Sequence, residues 1–324
     1  MHILRELQSS IANRIEQVRF KESPVELYEP INYILSLGGK RLRPALCLLS
    51  CNMFGGKTSD ALDPAIGIEL FHNFTLLHDD IMDNAPIRRG KPTVHEKWNT
   101  SAAILSGDTM MALAYDFIME APENTRFEVF KTFNQTAIKV CEGQQHDMNF
   151  ETRDDVTISE YIEMIRLKTA VLLAVSLKIG AMIAGASKED AQTIYDFGEN
   201  LGIAFQLKDD LLDIFSDEEK FGKTSGGDIV ANKKTFLYLK ALELAKDKEA
   251  DELRKFFSDK RSDPSEKVEA VKKIYEILAI RDQTSREIDG YYQKALGHLK
   301  KIKLPDTRKS ELLGFAGQLK RREL

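Results

Sequence analysis

The chain has 324 residues, of which 43% are hydrophobic, and its 51 acidic residues outnumber its 46 basic ones to give a net charge of −5. This balance argues against a nucleic-acid binder whose affinity comes from neutralising phosphates. The apolar content argues against intrinsic disorder, and three cysteines do not make a disulfide framework.

The first six residues lack the basic segment and apolar run of a secretory signal. No stretch approaches the ~18 consecutive apolar residues of a membrane span. The richest stretch, 170–186, is interrupted by Ser176 and Lys178. We therefore expect a cytoplasmic protein with no stable membrane insertion and no nucleic-acid partner.

Helix signals begin near the N-terminus. Pro24 predicts the start of a helix that ends at the glycine pair 38–39. Pro44 suits the first turn of the next helix, which should stop near the glycines at 55–56. These two helices are separated by the sequence Gly-Gly-Lys-Arg-Leu-Arg-Pro at 38–44.

The centre of the chain contains no proline between Pro122 and Pro264. The intervening residues are strong helix formers with spaced apolar positions. Thr157 and Glu160 fit a capping box, and the helix that they open is expected to run to Gly185.

The remaining segments are also predicted to be helical. Ser187 offers another helix start, and residues 234–324 contain several amphipathic helices separated near Pro264 and Pro305. No strand-like alternation, internal repeat or low-complexity linker is visible in the sequence. Although length alone favours about two domains, the pattern predicts an all-α fold and a single domain spanning 1–324.

Two segments, 79–83 and 209–213, carry the pattern Asp-Asp-x-x-Asp. At 3.6 residues per turn, the first and last aspartate of each motif share one helix face. Like charges at that spacing destabilise a bare helix, whereas carboxylate oxygens suit Mg²⁺, which also binds substrate phosphates. One motif alone could equally be a solvated acidic helix end. Two motifs, each preceded by apolar residues, predict metal-binding helix faces directed at one diphosphate.

Basic residues accompany both motifs. Lys40, Arg41 and Arg43 lie where a helix begins, which is a natural anion site. Without the aspartates, a solvated basic turn would be the default interpretation. Further basic residues follow the two aspartate motifs: Arg88, Arg89, Lys223, Lys233 and Lys234.

Together these residues resemble the trans-prenyltransferases, the head-to-tail isoprenyl diphosphate synthases. The resemblance covers essentially the whole chain, in order. Between the motifs named above it includes Gly107-Asp108, Gly143-Gln144 with Asp147, Lys168-Thr169 and Phe205-Gln206. It implies a bundle of long antiparallel helices around a deep apolar cavity, and a homodimer.

The resemblance also implies roles for individual residues. Up to three Mg²⁺ ions per active site, with Mn²⁺ as an alternative, would be held by Asp79, Asp80, Asp83, Asp209, Asp210 and Asp213. Isopentenyl diphosphate would be bound by Lys40, Arg43, His72 and Arg89. The allylic diphosphate would be bound by Arg88, Lys168, Thr169, Gln206, Lys223 and Lys233. The catalytic residues among these would be Lys168, Thr169, Gln206 and Lys223, with Gln144 and Asp147 near the site.

The implied reaction is physically consistent. Metal ions and basic residues would stabilise the departing diphosphate and allow an allylic cation to form. The oxygens of Thr169 and Gln206 could stabilise that cation, and isopentenyl diphosphate would attack with its double bond. The proton would leave to the released diphosphate, since no side-chain base is evident.

Product length would be set by residues preceding the first motif. Phe74 lies five residues before Asp79, or about 7.5 Å along the helix axis. In the family, an aromatic residue here acts as a floor for short products, and Phe71 and Thr75 lie nearby. We expect geranylgeranyl diphosphate as the product, with farnesyl diphosphate as the alternative. Phe74 could also be an ordinary core residue.

Two functions of other classes compete with this interpretation. A terpene cyclase shares the helical cavity and one aspartate motif, but it does not need a second diphosphate site. A non-catalytic subunit of a heteromeric synthase would be expected to have lost aspartates, whereas all six are present here.

Overall fold

The computed structural model describes residues 2–18, 20, 23–216, 226–258 and 263–321; the predicted site residue Lys223 lies outside them. Within these ranges the regular structure is helical apart from one small hairpin, which confirms the all-α prediction. The first helices are α1 (His2–Gln17), α2 (Val25–Ser36), α3 (Leu42–Met53), α4 (Thr58–Met82), α5 (Val94–Lys97), α6 (Thr100–Met119) and α7 (Glu123–Thr152). They are followed by α8 (Ile158–Ile165), a π-helix (Arg166–Ala170), α9 (Val171–Ile183) and α10 (Lys188–Phe215). The last are α11 (Gly227–Val230), α12 (Phe236–Leu244), α13 (Asp247–Ser258), α14 (Pro264–Ile277), α15 (Ile280–Lys301) and α16 (Asp306–Arg321).

The chain forms two compact units. The first comprises Met1–Gln135, Val175–Ile194 and Leu304–Leu312, and the second comprises Thr136–Ala174, Tyr195–Lys303 and Leu313–Leu324. In the first unit, α4 packs along α6 and α3, α1 packs on α3, and α2 packs on α6. Its fully buried residues include Ile11, Ile31, Leu46, Phe71 and Phe133.

The second unit has a core of its own. Helix α12 packs on α15 and α8, and α14 packs on α13 and α15. One buried apolar cluster includes Leu207, Leu211, Leu237, Tyr275 and Ile288. The cluster includes residues of α10 before, within and after the second aspartate motif, so that segment of helix is held by packing.

The capping box predicted at Thr157 is present. The Thr157 side chain accepts a hydrogen bond from the backbone N–H of Glu160, and the Glu160 carboxylate accepts one from the backbone N–H of Thr157 at 2.9 Å. The helix expected from this point to Gly185 is interrupted by the π-helix (Arg166–Ala170). A single inserted π turn leaves no clear trace in apolar periodicity, and such turns are frequent at functional sites.

The hairpin was not predicted from the sequence. Strands β1 (Ile87–Arg88) and β2 (Lys91–Pro92) pair antiparallel, with Arg88 opposite Lys91. The turn between them places Arg89 at φ 53° and Gly90 at φ 74°. Positive φ at both central residues is the requirement of a type I′ hairpin turn, and glycine meets it without strain. Strands of two residues are too short to show an alternating pattern.

Among the described residues, one helix, α6, is long and apolar enough to cross a membrane by length and composition. It differs from the stretch 170–186 that is richest in apolar residues by sequence. A single helix of this kind is weak support for a span, since the core helix of a water-soluble protein meets the same criteria. Only 33% of its most apolar window is buried within the chain.

Candidate active site

The first aspartate motif lies at the C-terminal end of α4. The helix ends at Met82, and Asp83 is its C-cap, so Asp83 lies at the helix boundary rather than inside the helix. Its backbone N–H still donates to the carbonyl of Asp79 at 2.8 Å, one turn away. Carboxylates at this end face the negative pole of the helix dipole. The arrangement therefore favours a bound cation.

The middle aspartate of this motif is anchored inside the protein. Asp80 is buried, and Arg88 donates from Nε to both of its carboxylate oxygens, at 2.9 and 2.8 Å. The Nη2 atom of Arg88 also lies 2.8 Å from Asp80 and 4.0 Å from Asp79. Burial raises the pKa of Asp80, and the hydrogen bond and charge of Arg88 oppose that rise.

The hairpin joins this motif to the glycine turn at 38–39. Arg88 contacts Asp80, while the next residue, Arg89, donates from its guanidinium to the carbonyl of Gly38. The hydroxyl of Tyr33 donates to the carbonyl of Pro92 at 2.8 Å. Two adjacent arginines therefore hold two different segments of the predicted site at a fixed spacing.

Arg41 anchors the segment 38–44 from within. Its backbone adopts φ 45°, and its side chain pairs with Glu69 at 2.5 Å while donating to the carbonyl of Leu35. Glu69 is buried and also accepts a hydrogen bond from Asn73 at 3.0 Å. Glu69 was not predicted from the sequence, although a lone carboxylate within an apolar run was a visible signal.

The residues predicted to bind isopentenyl diphosphate are partly brought together. Arg43 Nη1 lies 3.1 Å from Nε2 of His72. The pKa of His72 is lowered well below its usual value, first by burial and then by Arg43 and Arg89. A neutral imidazole beside Arg43 can accept its hydrogen bond. Lys40 is exposed and follows directly after the glycine pair that Arg89 contacts.

A cavity of about 1090 Å³ lies in the first unit, between α1, α2 and the segment 38–41. Lys40 is the predicted site residue on its wall, beside Tyr33 and Trp98. The ammonium of Lys97 lies 3.8 Å from the ring centroid of Tyr33 and 4.5 Å from that of Trp98. This cavity gives the side chain of Lys40 room to approach a ligand.

The second motif repeats the buried middle aspartate. Asp210 lies in α10 and is buried. Its Oδ2 accepts a hydrogen bond from the hydroxyl of Tyr161, and its Oδ1 accepts one from Nε2 of Gln206 at 3.0 Å. Burial raises the pKa of Asp210 to about 8, and the nearby Asp228 adds to the rise.

Asp213 is supported by the start of α11. Its Oδ2 accepts the backbone N–H of Asp228 at 2.9 Å, and its carbonyl accepts the N–H of Gly226 at 2.7 Å. Burial and the charge of Asp213 raise the pKa of Asp228 to about 6. Lys233 lies 3.9 Å from Asp228. Asp228 was not predicted from the sequence, since its only local signal was its place after two glycines.

The predicted catalytic residues Lys168 and Thr169 both lie in the π-helix. The ammonium of Lys168 lies 2.6 Å from Oδ2 of Asp147, and the hydroxyl of Thr169 donates to Oε1 of Gln206 at 3.2 Å. A continuous hydrogen-bonded chain therefore runs from Thr169 through Gln206 to Asp210. Gln144, also predicted near the site, lies half-buried in α7.

Close backbone approaches hold the π-helix on both sides. A Cβ at Gly143 would lie 2.3 Å from the backbone nitrogen of Lys168, and a Cβ at Gly202 would lie 2.7 Å from Ala170. Only glycine leaves space for these approaches. The positions of Lys168 and Thr169 thus depend on glycines in two other helices, α7 and α10.

Phe74 belongs to a stack of aromatic rings in the first unit. Its ring centroid lies 4.7 Å from that of His78 and 5.5 Å from that of Phe71, which lies 5.4 Å from Phe133. Phe71 is fully buried and Phe74 is 8% exposed. The hydroxyl of Thr75 donates to the carbonyl of His72 at 2.8 Å. Phe74 therefore lies at the less buried end of this stack, against the ring of Phe71.

The donor chemistry fits magnesium. Within the ranges that the structure describes, no group of three or more histidine, cysteine or acidic side chains is gathered as a ready-made metal cage. Magnesium does not require one, because it keeps waters and is bound through one or two carboxylates together with substrate phosphates. The outer aspartates of each motif, one helical turn apart, provide such a pair.

Comparisons with known proteins show the family to which the chain belongs. The polyprenyl synthetase family model matches residues 24–278. The geranylgeranyl diphosphate synthase of Methanosarcina mazei is 43% identical over 243 residues, covering 74% of this chain and 75% of that protein. The geranylfarnesyl diphosphate synthase of Natronomonas pharaonis is 38% identical over 260 residues, covering 72% and 76%. A crystal structure of a geranylgeranyl pyrophosphate synthase has a TM-score of 0.94 and 45% identity, and covers 99% of both chains.

The helical fold and the paired aspartate motifs define a prenyltransferase with the isoprenoid synthase fold. More particularly, the chain belongs to the polyprenyl synthetase family. The family resemblance and the enzyme class predicted from the sequence are thereby confirmed. Membership of the family implies isoprenoid diphosphate substrates.

Proposed function

We propose that the protein condenses isopentenyl diphosphate with an allylic prenyl diphosphate and releases geranylgeranyl diphosphate. The observation that carries this proposal is the arrangement common to both aspartate motifs. In each, the middle carboxylate is buried and hydrogen-bonded by the protein, while the first and last lie one turn apart at less buried positions. Relatives named for geranylgeranyl diphosphate support the product.

Magnesium would be held by Asp79 and Asp83 in the first motif and by Asp209 and Asp213 in the second, with Mn²⁺ as a substitute. Asp80 and Asp210 would support these residues from within. When bound, the metal would neutralise charge on the allylic diphosphate. Lys168, Lys233 and the predicted residue Lys223 would contribute positive charge to the same group.

Isopentenyl diphosphate would be bound by the basic residues of the first unit: Lys40, Arg43, His72 and Arg89. His72 is kept neutral by burial and its arginine neighbours, so its part is to orient Arg43 rather than to add charge. Arg88 would serve the allylic diphosphate while its Nε fixes Asp80. The two substrates would thus be bound by different sets of residues.

The reacting carbons would lie near the polar chain that begins at Thr169. The Thr169 hydroxyl donates a hydrogen bond to Gln206. The lone pairs of the Thr169 oxygen can therefore face a developing allylic cation. Neutral oxygens stabilise such a cation without capturing it, while Gln144 and Asp147 would complete the surroundings. Exclusion of water would prevent quenching to an alcohol.

The product length would be limited by Phe74, whose ring lies against that of Phe71. A floor at this depth would stop elongation at a short product. The geranylfarnesyl relative favours a longer product as the second candidate, since it is 38% identical over most of its length. Farnesyl diphosphate remains the shorter alternative.

The protein would act in the cytoplasm as a homodimer. A dimer is supported by α6, on which Ile104, Leu105 and Met119 are exposed for much of their side chains. The three positions fall within about 100° around the helix axis, so they lie on one side of it. A second copy of the chain would bury them.

The deciding experiment incubates the purified protein with isopentenyl diphosphate, Mg²⁺ and each of three primers: dimethylallyl, geranyl and farnesyl diphosphate. We expect a C20 diphosphate by mass spectrometry, and no product from the Asp79→Asn variant. A cyclic hydrocarbon from geranylgeranyl diphosphate alone would indicate a terpene cyclase instead. The absence of any product would point to a non-catalytic subunit, and either result would refute the proposal.

A further inference from the structure

Tyr161 is a buried residue of the second unit, and its hydroxyl contacts the second aspartate motif. Its side chain is 3% exposed, and its hydroxyl donates to Oδ2 of Asp210. Gln206 occupies the other carboxylate oxygen at 3.0 Å. Both oxygens of the middle aspartate are therefore fixed by donors from the protein.

The position of Tyr161 is itself fixed by the start of α8. The capping box of Thr157 and Glu160 ends one residue before Tyr161, and Glu160 is also paired with Arg153 at 2.8 Å. The ring of Tyr161 belongs to the same buried cluster as Leu207. A side chain held this firmly can determine the orientation of the group that it contacts.

The two motifs anchor their middle aspartates by different chemistry. Asp80 is bound by the cationic Arg88, whereas the donors to Asp210 are the uncharged side chains of Tyr161 and Gln206. A neutral donor fixes a carboxylate in place without adding positive charge. Neither donor therefore offsets the negative charge of the neighbouring Asp209 and Asp213, which would attract a cation.

We propose that Tyr161 is a positioning residue for the second metal-binding motif. By fixing Asp210 from the protein interior, it holds the last turns of α10 so that Asp209 and Asp213 present their oxygens to metal and diphosphate. This inference rests on the proposed function and adds to it a residue that contacts neither substrate nor metal.

The test is Tyr161→Phe, which removes one oxygen and keeps the ring in the core. Mn²⁺ binding would be measured by electron paramagnetic resonance in the presence of inorganic diphosphate. We expect the affinity for Mn²⁺ to fall about 10-fold, as is typical when an outer partner of a metal ligand is lost. The Mg²⁺ concentration for half-maximal activity should rise, while KM for isopentenyl diphosphate stays unchanged.

Tyr238→Phe is the matched control. Tyr238 is 6% exposed and belongs to the same buried cluster, so it reports the general cost of removing a hydroxyl from this core. We expect this variant to bind Mn²⁺ like the wild type. Equal losses of affinity in both variants would overturn the proposal.

A second variant keeps the inference testable if Tyr161→Phe folds poorly. Asp210→Asn should weaken Mn²⁺ binding by itself, and adding Tyr161→Phe to it should cause no further loss, because the two residues act as one unit. Wild-type Mn²⁺ affinity in Asp210→Asn would refute a role through Asp210. If the wild type elongates prenyl chains while Tyr161→Phe matches it in metal dependence, only this inference fails. If the wild type forms no product, the proposed function fails first.

Discussion

At the scale of single residues, the middle aspartate of each motif differs from the first in burial and in its hydrogen bonds. Asp80 and Asp210 are buried and hydrogen-bonded, while Asp79 and Asp209 are only half-buried. Burying a carboxylate is costly unless donors compensate it. The protein supplies donors at both middle positions, which offset the cost of burying these two carboxylates.

The lowered pKa of His72 predicts that the free energy of unfolding depends on pH. Because its pKa in the folded protein is lowered, the unfolded chain binds the extra proton first as the pH falls. The stability contributed by neutral His72 is therefore present above pH 6.5 and decreases below it. Between pH 7.5 and pH 5.5 we expect the wild type to lose about 1 kcal/mol more of its free energy of unfolding than His72→Gln.

Urea unfolding at a series of pH values checks this prediction. His298→Gln serves as the control, because His298 is half-buried and lies 3.8 Å from the carboxylate of Asp196 rather than beside arginines. An identical pH profile in the wild type and His72→Gln would contradict the lowered pKa.

The sequence predicted residues with strong local signals and missed those that act through tertiary contacts. The aspartate pairs and the segment 38–44 were visible as patterns. Tyr161, in contrast, looks like any aromatic residue on the apolar face of a helix, since its partner Asp210 lies 49 residues away. Asp228 and Glu69 were missed because pairing is a property of the folded chain.

At the scale of secondary-structure elements, local chemistry located most helix ends and could not locate the π-helix. The capping box at Thr157 and the breaks near Pro264 and Pro305 depend on neighbouring residues alone. The π-helix depends instead on Gly143 in α7 and Gly202 in α10, which allow close backbone approach. No sequence window around 166–170 contains that information.

Gly143→Ala should displace the π-helix. Its new Cβ would lie 2.3 Å from the backbone nitrogen of Lys168, which is too close for any real contact. We expect kcat to fall at least about 100-fold, since a displacement of ~1 Å in a catalytic group has effects of that size. Steady-state kinetics on folded protein, checked by circular dichroism, measure the loss.

Gly290→Ala is the control for this substitution. Gly290 lies within α15, and a Cβ there would meet nothing within 4 Å. Alanine should stabilise that helix by roughly 0.5–1 kcal/mol and leave kcat unchanged. Wild-type kinetics in Gly143→Ala would show that the π-helix does not position catalytic groups.

The contact between Phe71 and Phe74 on α4 predicts that substitutions at the two positions lengthen the products to different extents. Phe74→Ala should lengthen the products, because it opens the space above Phe71. Phe71→Ala alone should change product length less, since Phe74 still covers it, and the double variant should give the longest products. Mass spectrometry of the products from a farnesyl primer measures the order. Unchanged products from Phe74→Ala would mean that Phe74 is an ordinary core residue.

At the scale of the whole molecule, the net charge of −5 at first argues against anionic ligands. The excess of acids over bases is smaller than the six aspartates of the two motifs, so the rest of the chain carries a net charge of +1. Bound cations reverse the local sign of the charge. The net charge therefore argues against a nucleic-acid binder, while its distribution is compatible with diphosphate substrates.

The exposed apolar residues of α6 predict the assembly of the whole molecule. Leu105 is 59% exposed on a helix whose other side packs on α4, and exposed apolar residues gathered on one side of a helix mark an interface. We expect the wild type to sediment at twice the 36.7 kDa of one chain. Leu105→Glu should sediment as single chains, because a buried unpaired carboxylate opposes association. Ile277→Glu, at a residue that is 72% exposed on α14, should remain dimeric. A wild type that sediments as single chains at micromolar concentration, or a dimeric Leu105→Glu, would refute this interface.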